Sequence, residues 1–85
     1  MDDIERHYNI NEVSKNGYYR IYYILDDDDS PLSLNILLLY RDGKIYDTVS
    51  KKQWSDNEIE DISLKMYMMN EQKPESCWIS FIKAV

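Results

Sequence analysis

Glycine, cysteine, histidine and basic residues are all scarce in this 85-residue chain, and each shortage removes a class of function. Two glycines, Gly17 and Gly43, cannot build a phosphate-cradling loop, which needs several for close backbone approach. The single cysteine, Cys77, excludes an internal disulfide framework and suits a reducing compartment. Its neighbour is Trp78 in an apolar stretch, where a thiol is expected to behave as an inert small hydrophobe. The only histidine, His7, has no second metal ligand nearby in sequence and is expected to be a solvated surface residue. No Ser or Cys motif carries a base at a recognisable spacing, so the expectation is no catalytic residue, no metal, no cofactor and no enzyme.

Length and charge narrow the reading further. Eighty-five residues suffice for a single domain, residues 1–85, with no room for a second core. Ten basic residues against sixteen acidic ones leave a net charge of −6. That balance argues against direct nucleic-acid binding or an anionic membrane and favours a basic protein partner. No apolar run approaches the length of a membrane span. The first residues, Met1-Asp2-Asp3-Ile4-Glu5, are acidic where a secretion signal is basic then apolar, so a cytoplasmic location is expected, host cytoplasm for a phage product.

What the chain does have is strand-forming sequence. Asp42-Gly43 separates Leu34–Tyr40 from Lys44-Ile45-Tyr46, the strongest short-range hairpin signal because a type I′ turn needs φ > 0 at both central residues. Counting outward pairs Tyr40 with Ile45, Leu38 with Asp47 and Ile36 with Val49. On the other face it pairs Leu39 with Tyr46 and Leu37 with Thr48. Both faces carry large apolar groups, so one should pack on the core while the other needs a second cover.

Tyr18–Leu25 reads as a preceding strand, with Tyr19, Ile21, Tyr23 and Leu25 on one face and Tyr18, Arg20, Tyr22 and Ile24 on the other. Residues 1–16 are polar, and the Ile4/Tyr8 spacing allows at most a short helical turn there. Ser55-Asp56-Asn57-Glu58 is a capping box, with Trp54 and Ile59 placed as a hydrophobic staple. The helix it opens should stop before Lys73-Pro74. Ile59, Ile62, Met66 and Met69 form its inward stripe, while Leu64 and Met68 lie on the solvent side. Cys77–Val85 is a last strand, expected at an edge or between two others. The architecture expected is α+β: a three-stranded antiparallel meander, one α-helix packed on the sheet and a C-terminal fourth strand.

Two features stand out as contact candidates. Asp26, Asp27, Asp28 and Asp29 cannot be buried unpaired, and their spacing does not fit a divalent-cation loop. With Glu60 and Asp61 they could steer and hold a basic surface. Should the two clusters share one side, the array could imitate the charge spacing of a DNA backbone. The second feature is tyrosine: Tyr18, Tyr22 and Tyr46 face away from the expected core beside Leu37 and Leu39, whereas Tyr19, Tyr23, Tyr40 and Trp78 are read as core.

These features, with Leu64 and Met68, point to a small acidic inhibitor or decoy that blocks a basic, nucleic-acid-handling protein. Size and charge alone set it beside phage-encoded antagonists of host defence and bacteriocin immunity proteins. The alternative is a non-catalytic adaptor or structural subunit acting through the apolar, tyrosine-rich sheet face, by which a homodimer could also form.

Overall fold

The hairpin forms as its turn residues require. In the computed structural model, which describes residues 5–24 and 31–85, Asp42 and Gly43 both take positive φ, 51° and 84°. Tyr40 faces Ile45, Leu39 faces Tyr46 and Leu38 faces Asp47, the register obtained by counting from the turn. The expected rungs beyond Asp47 do not form. Asp47 instead accepts the Val49 and Ser50 N–H groups, each at 2.8 Å, on its own carboxylate, and Thr48–Ser50 turn away from the ladder. A contact from the Thr48 hydroxyl to the Leu37 carbonyl, 3.3 Å, is what remains of that rung.

The strands are β1 (Arg6–His7), β2 (Gly17–Ile24), β3 (Pro31–Arg41), β4 (Lys44–Asp47) and β5 (Cys77–Lys83), with one helix, α1 (Asp56–Gln72). All pair antiparallel in the order β1-β5-β2-β3-β4. The class is thus the α+β layer pair expected, and β5 does slip between two others. The fifth strand is the correction: residues 6–7, placed by sequence in coil or a helical turn, pair with Ile79 and Ser80. A 3-10 turn at Ile10–Glu12 follows.

Strand β3 carries two extra residues. Arg20 faces Leu37 but Tyr22 faces Ser33, so four residues of β3 cover what two of β2 cover. An even insertion preserves side-chain parity, which is why Leu34, Ile36, Leu38 and Tyr40 all still turn toward the core. At the other end of β2, Gly17 admits the Phe81 ring. A Cβ there would sit 2.3 Å from a ring carbon.

Helix α1 begins as its cap dictates. The Glu58 N–H donates to the Ser55 hydroxyl at 3.2 Å, and the Ser55 N–H donates back to the Glu58 carboxylate at 3.0 Å. It ends at Gln72, with the Lys73 N–H bonded to Met69 O, immediately before Pro74. Ile62 and Met66 are buried and Ile59 and Met69 half-buried, the stripe expected. They close the core over Tyr19, Ile21, Leu38, Cys77 and Ile79, with Ile10 and Val13 filling one end.

Asparagines tie the layers together. Asn70 accepts the Cys77 N–H at 2.8 Å and donates to Cys77 O at 2.9 Å, supplying β5 with the partner that two-residue β1 is too short to provide. It also donates to Tyr8 O at 3.0 Å. Asn9 donates to Ser63 O and accepts from the Ser63 hydroxyl, pinning the N-terminal segment to the helix flank.

Candidate functional site

Alternation along the strands and the single helix divide the molecule into two chemically different surfaces. Ten acids and ten bases lie among the described residues, because Asp2, Asp3 and Asp26 to Asp29 fall outside them and no base does. The net −6 therefore resides in those six aspartates, while the rest of the chain is balanced. The contact expectation for Asp26, Asp27, Asp28 and Asp29 lies outside the described residues, as does the geometry of any DNA-like charge array built on them.

The outer face of α1 is the first surface. Leu64, Tyr67 and Met68 are exposed by 56%, 58% and 52%. Their spacing of three and four residues puts them on one stripe. Glu60 and Glu71 are exposed beside them. Glu60 lines a shallow hollow of about 510 Å³ with Asn11, Ser63, Leu64 and Tyr67. Asp61 lines a separate groove with Trp54 and Ile36, and pairs with Lys65 at 3.0 Å. Glu60 and Leu64 thus share one side of the stripe, while Met68 lies on its other side near Asp61, which Lys65 already engages. Tyr67 is the member sequence reasoning passed over, although it stands three positions after Leu64.

The second surface is the side of the sheet away from α1. Tyr18, Tyr22 and Tyr46 all lie there, half-buried, as the alternation requires. Trp78 shares it and is buried there, as its reading as a core residue expects. It is only 3% exposed because the Tyr22 ring stacks on it at 5.8 Å and the Arg6 guanidinium sits 4.1 Å from its ring centre. Lys83 lies 5.3 Å from the centre of the Tyr18 ring. Tyr18, Tyr22 and Tyr46 are thus two layers away from Glu60, Leu64 and Met68, so the contact residues expected from sequence do not form one site.

Reactive groups are quiet. Cys77 is buried, and burial pushes its thiol up to about 11, far from a nucleophilic thiolate. His7 is not the solvated residue expected: its side chain is 17% exposed, with Nε2 3.2 Å from the Glu5 carboxylate. Hydrogen bonds from the Ser50 and Val49 N–H groups hold the Asp47 carboxyl below its ordinary value. The Tyr19 hydroxyl donates to Lys15 O at 2.5 Å, and burial raises its pKa, with smaller contributions from Glu5 and Tyr40. Among the described residues no three His, Cys, Asp or Glu side chains gather as a metal site requires, and no helix is long and apolar enough to cross a membrane.

Comparison with protein-family models, with curated proteins and with solved structures finds no match to this chain.

Proposed function

We propose that this protein acts by binding: it covers a basic surface of a protein partner, of the kind nucleic-acid-handling proteins present, and so serves as an inhibitor or decoy. The outer face of α1 supplies the contact. The observation that carries this reading is the exposed stripe of Leu64, Tyr67 and Met68 bordered by Glu60 and Glu71. An apolar centre with a charged rim is the anatomy of a protein interface, and the sign of the rim selects a basic counterpart. The charge-complementary rim governs encounter rate and salt dependence, while the apolar stripe governs how long the complex lasts.

Capture from a lysate of the source cell with wild-type bait, repeated at high salt, tests it. The bound protein should be basic and released by salt. Leu64→Asp or Glu60→Lys bait should lose most of it, since interface anchors cost about 1–2 kcal/mol or more when removed. An adaptor working through Tyr18, Tyr22 and Tyr46 would instead hold its partner through high salt and lose it with tyrosine substitutions. Retention by both helix variants would refute the assignment to α1.

A further inference from the structure

Rings and cations alternate in rows across the sheet face away from α1. Tyr22 lies beside Trp78 in one row. The next row is Arg6, Ser80, Arg20 and Leu37, each directly paired with its neighbour. Tyr18, Leu39 and Tyr46 form the third, and the pair Arg41 and Lys44 the fourth, at the hairpin tip. Successive rows are two residues, or about 7 Å, apart along the strands.

Within the third row Tyr18 and Tyr46 stand two strand spacings apart, roughly 10 Å at the backbone. Leu39 is the floor between them. A hollow of about 310 Å³ opens there, with Arg41 and Lys51 on its lining beside Asp42 and Asp47. None of Arg6, Arg20, Arg41, Lys44 and Lys51 has a carboxylate at ion-pair distance among the described residues, whose acidic ion-pair partners are Glu5 and Asp61. Asp42 is the acid nearest the tip and accepts from Asn16, and the Asp47 carboxylate is taken up by two backbone N–H groups. Ser80, between the two arginines, has a buried hydroxyl with no hydrogen-bond partner among the described residues.

We propose that this face binds single-stranded nucleic acid, with one unpaired base seated on Leu39 between Tyr18 and Tyr46. Arg41 and Lys51 meet the phosphate on one side of that base and Arg20 the phosphate on the other. Charge complementarity selects a polyanion, and the tyrosine-walled slot selects one that carries flat rings at intervals. An acidic peptide would leave the slot unfilled, and a duplex keeps its bases stacked inside. Stacking on aromatic residues over a positive surface is how strands are held without sequence readout. The excess negative charge of the chain is carried by Asp2, Asp3 and Asp26 to Asp29, and the described residues balance at ten acids and ten bases.

Fluorescence anisotropy of the intact chain with a labelled oligothymidylate and a labelled oligouridylate tests it. Two neutralised phosphates predict that log affinity falls against log salt with a slope of about −1.4, at roughly −0.7 per phosphate. Tyr46→Ala should weaken binding at least about fivefold, the low end for one stacked base. Arg41→Glu, at the exposed hairpin tip where folding does not depend on it, should weaken binding and flatten the salt slope by about one phosphate contact. Leu64→Ala, on the opposite layer, should change neither. The proposal is overturned by absence of oligonucleotide binding at low salt, or by binding that both Tyr46→Ala and Arg41→Glu leave intact. Displacement of the strand by polyglutamate as readily as by unlabelled oligonucleotide would overturn it too, as would Arg20-dependent self-association with no strand binding.

Discussion

Asn70→Ala should be among the most damaging single substitutions outside the apolar core, although it removes only a polar side chain. The Asn70 amide gives Cys77 both halves of a strand-like hydrogen-bonded pair, at 2.8 and 2.9 Å, and ties in Tyr8 O at 3.0 Å. Truncation leaves the N–H and C=O of a fully buried residue without a side-chain partner. Each orphaned group costs about 1–3 kcal/mol. Ala regains only about 0.5 kcal/mol of helix propensity over Asn. The expected net loss is about 1.5–5.5 kcal/mol, a large share of the roughly 4–13 kcal/mol available to a chain this size. In a thermal melt followed by circular dichroism that is a fall of about 6–44 °C.

The chemistry gives a sharper version. Asn70→Asp keeps an acceptor for the Cys77 N–H but turns a carboxylate toward two carbonyls. It should be worse than Ala at neutral pH and recover in acid, where the protonated group can again donate. Amide exchange should show Cys77 losing protection ahead of the centre of β2. A loss below about 0.5 kcal/mol in Asn70→Ala, or an Asn70→Asp variant insensitive to pH, would refute the reasoning.

Three further outcomes follow from the same structure. Ser55→Ala removes half of the capping box and should cost about 1 kcal/mol, read as a shift in urea midpoint at unchanged slope. Gly17→Ala, which drives a Cβ to 2.3 Å from the Phe81 ring, should cost about 1–3 kcal/mol in the same assay, and Phe81→Leu should relieve part of it. Cys77, with its thiol raised to about 11, should resist thiol reagents in the native state and react at the rate of opening. Because the native value lies above the ordinary thiol value of about 8.5, its contribution to stability is whole below that pH. It is lost as pH rises through 11, so alkaline unfolding of a Cys77→Ala variant should be shallower in that window.

How far the sequence could be read depended on whether a signal was local. Asp42-Gly43 and Ser55 to Glu58 act within four residues, and both the hairpin register and the helix start follow from them. The Ile59, Ile62, Met66, Met69 stripe was legible for the same reason. Long-range choices were not. Arg6-His7 has no strand propensity of its own and becomes a strand because β5 offers an unpaired edge at Ile79 and Ser80. The hairpin rungs past Asp47 fail because its carboxylate takes local N–H groups, a competition that counting register ignores.

The candidate contacts divide in the same way. Parity placed Tyr18, Tyr22 and Tyr46 on the face away from α1, and helical phase placed Leu64 and Met68 outward. Glu60 and Asp61, adjacent in sequence and read as one acidic edge, line different hollows because consecutive residues are about 100° apart around the helix. A single net charge concealed the gathering of Arg6, Arg20, Arg41 and Lys44 on one side of the sheet. Arg20 between Tyr18 and Tyr22 was the local hint of it.

Amide hydrogen exchange of the chain, free and saturated with its captured protein partner, tests the proposal for α1 most directly. The account predicts new protection centred on Glu60 to Glu71, with β2 and β4 unchanged. Protection confined to the Tyr18, Tyr22 and Tyr46 side, with that stretch of the helix exchanging as in the free chain, would contradict it.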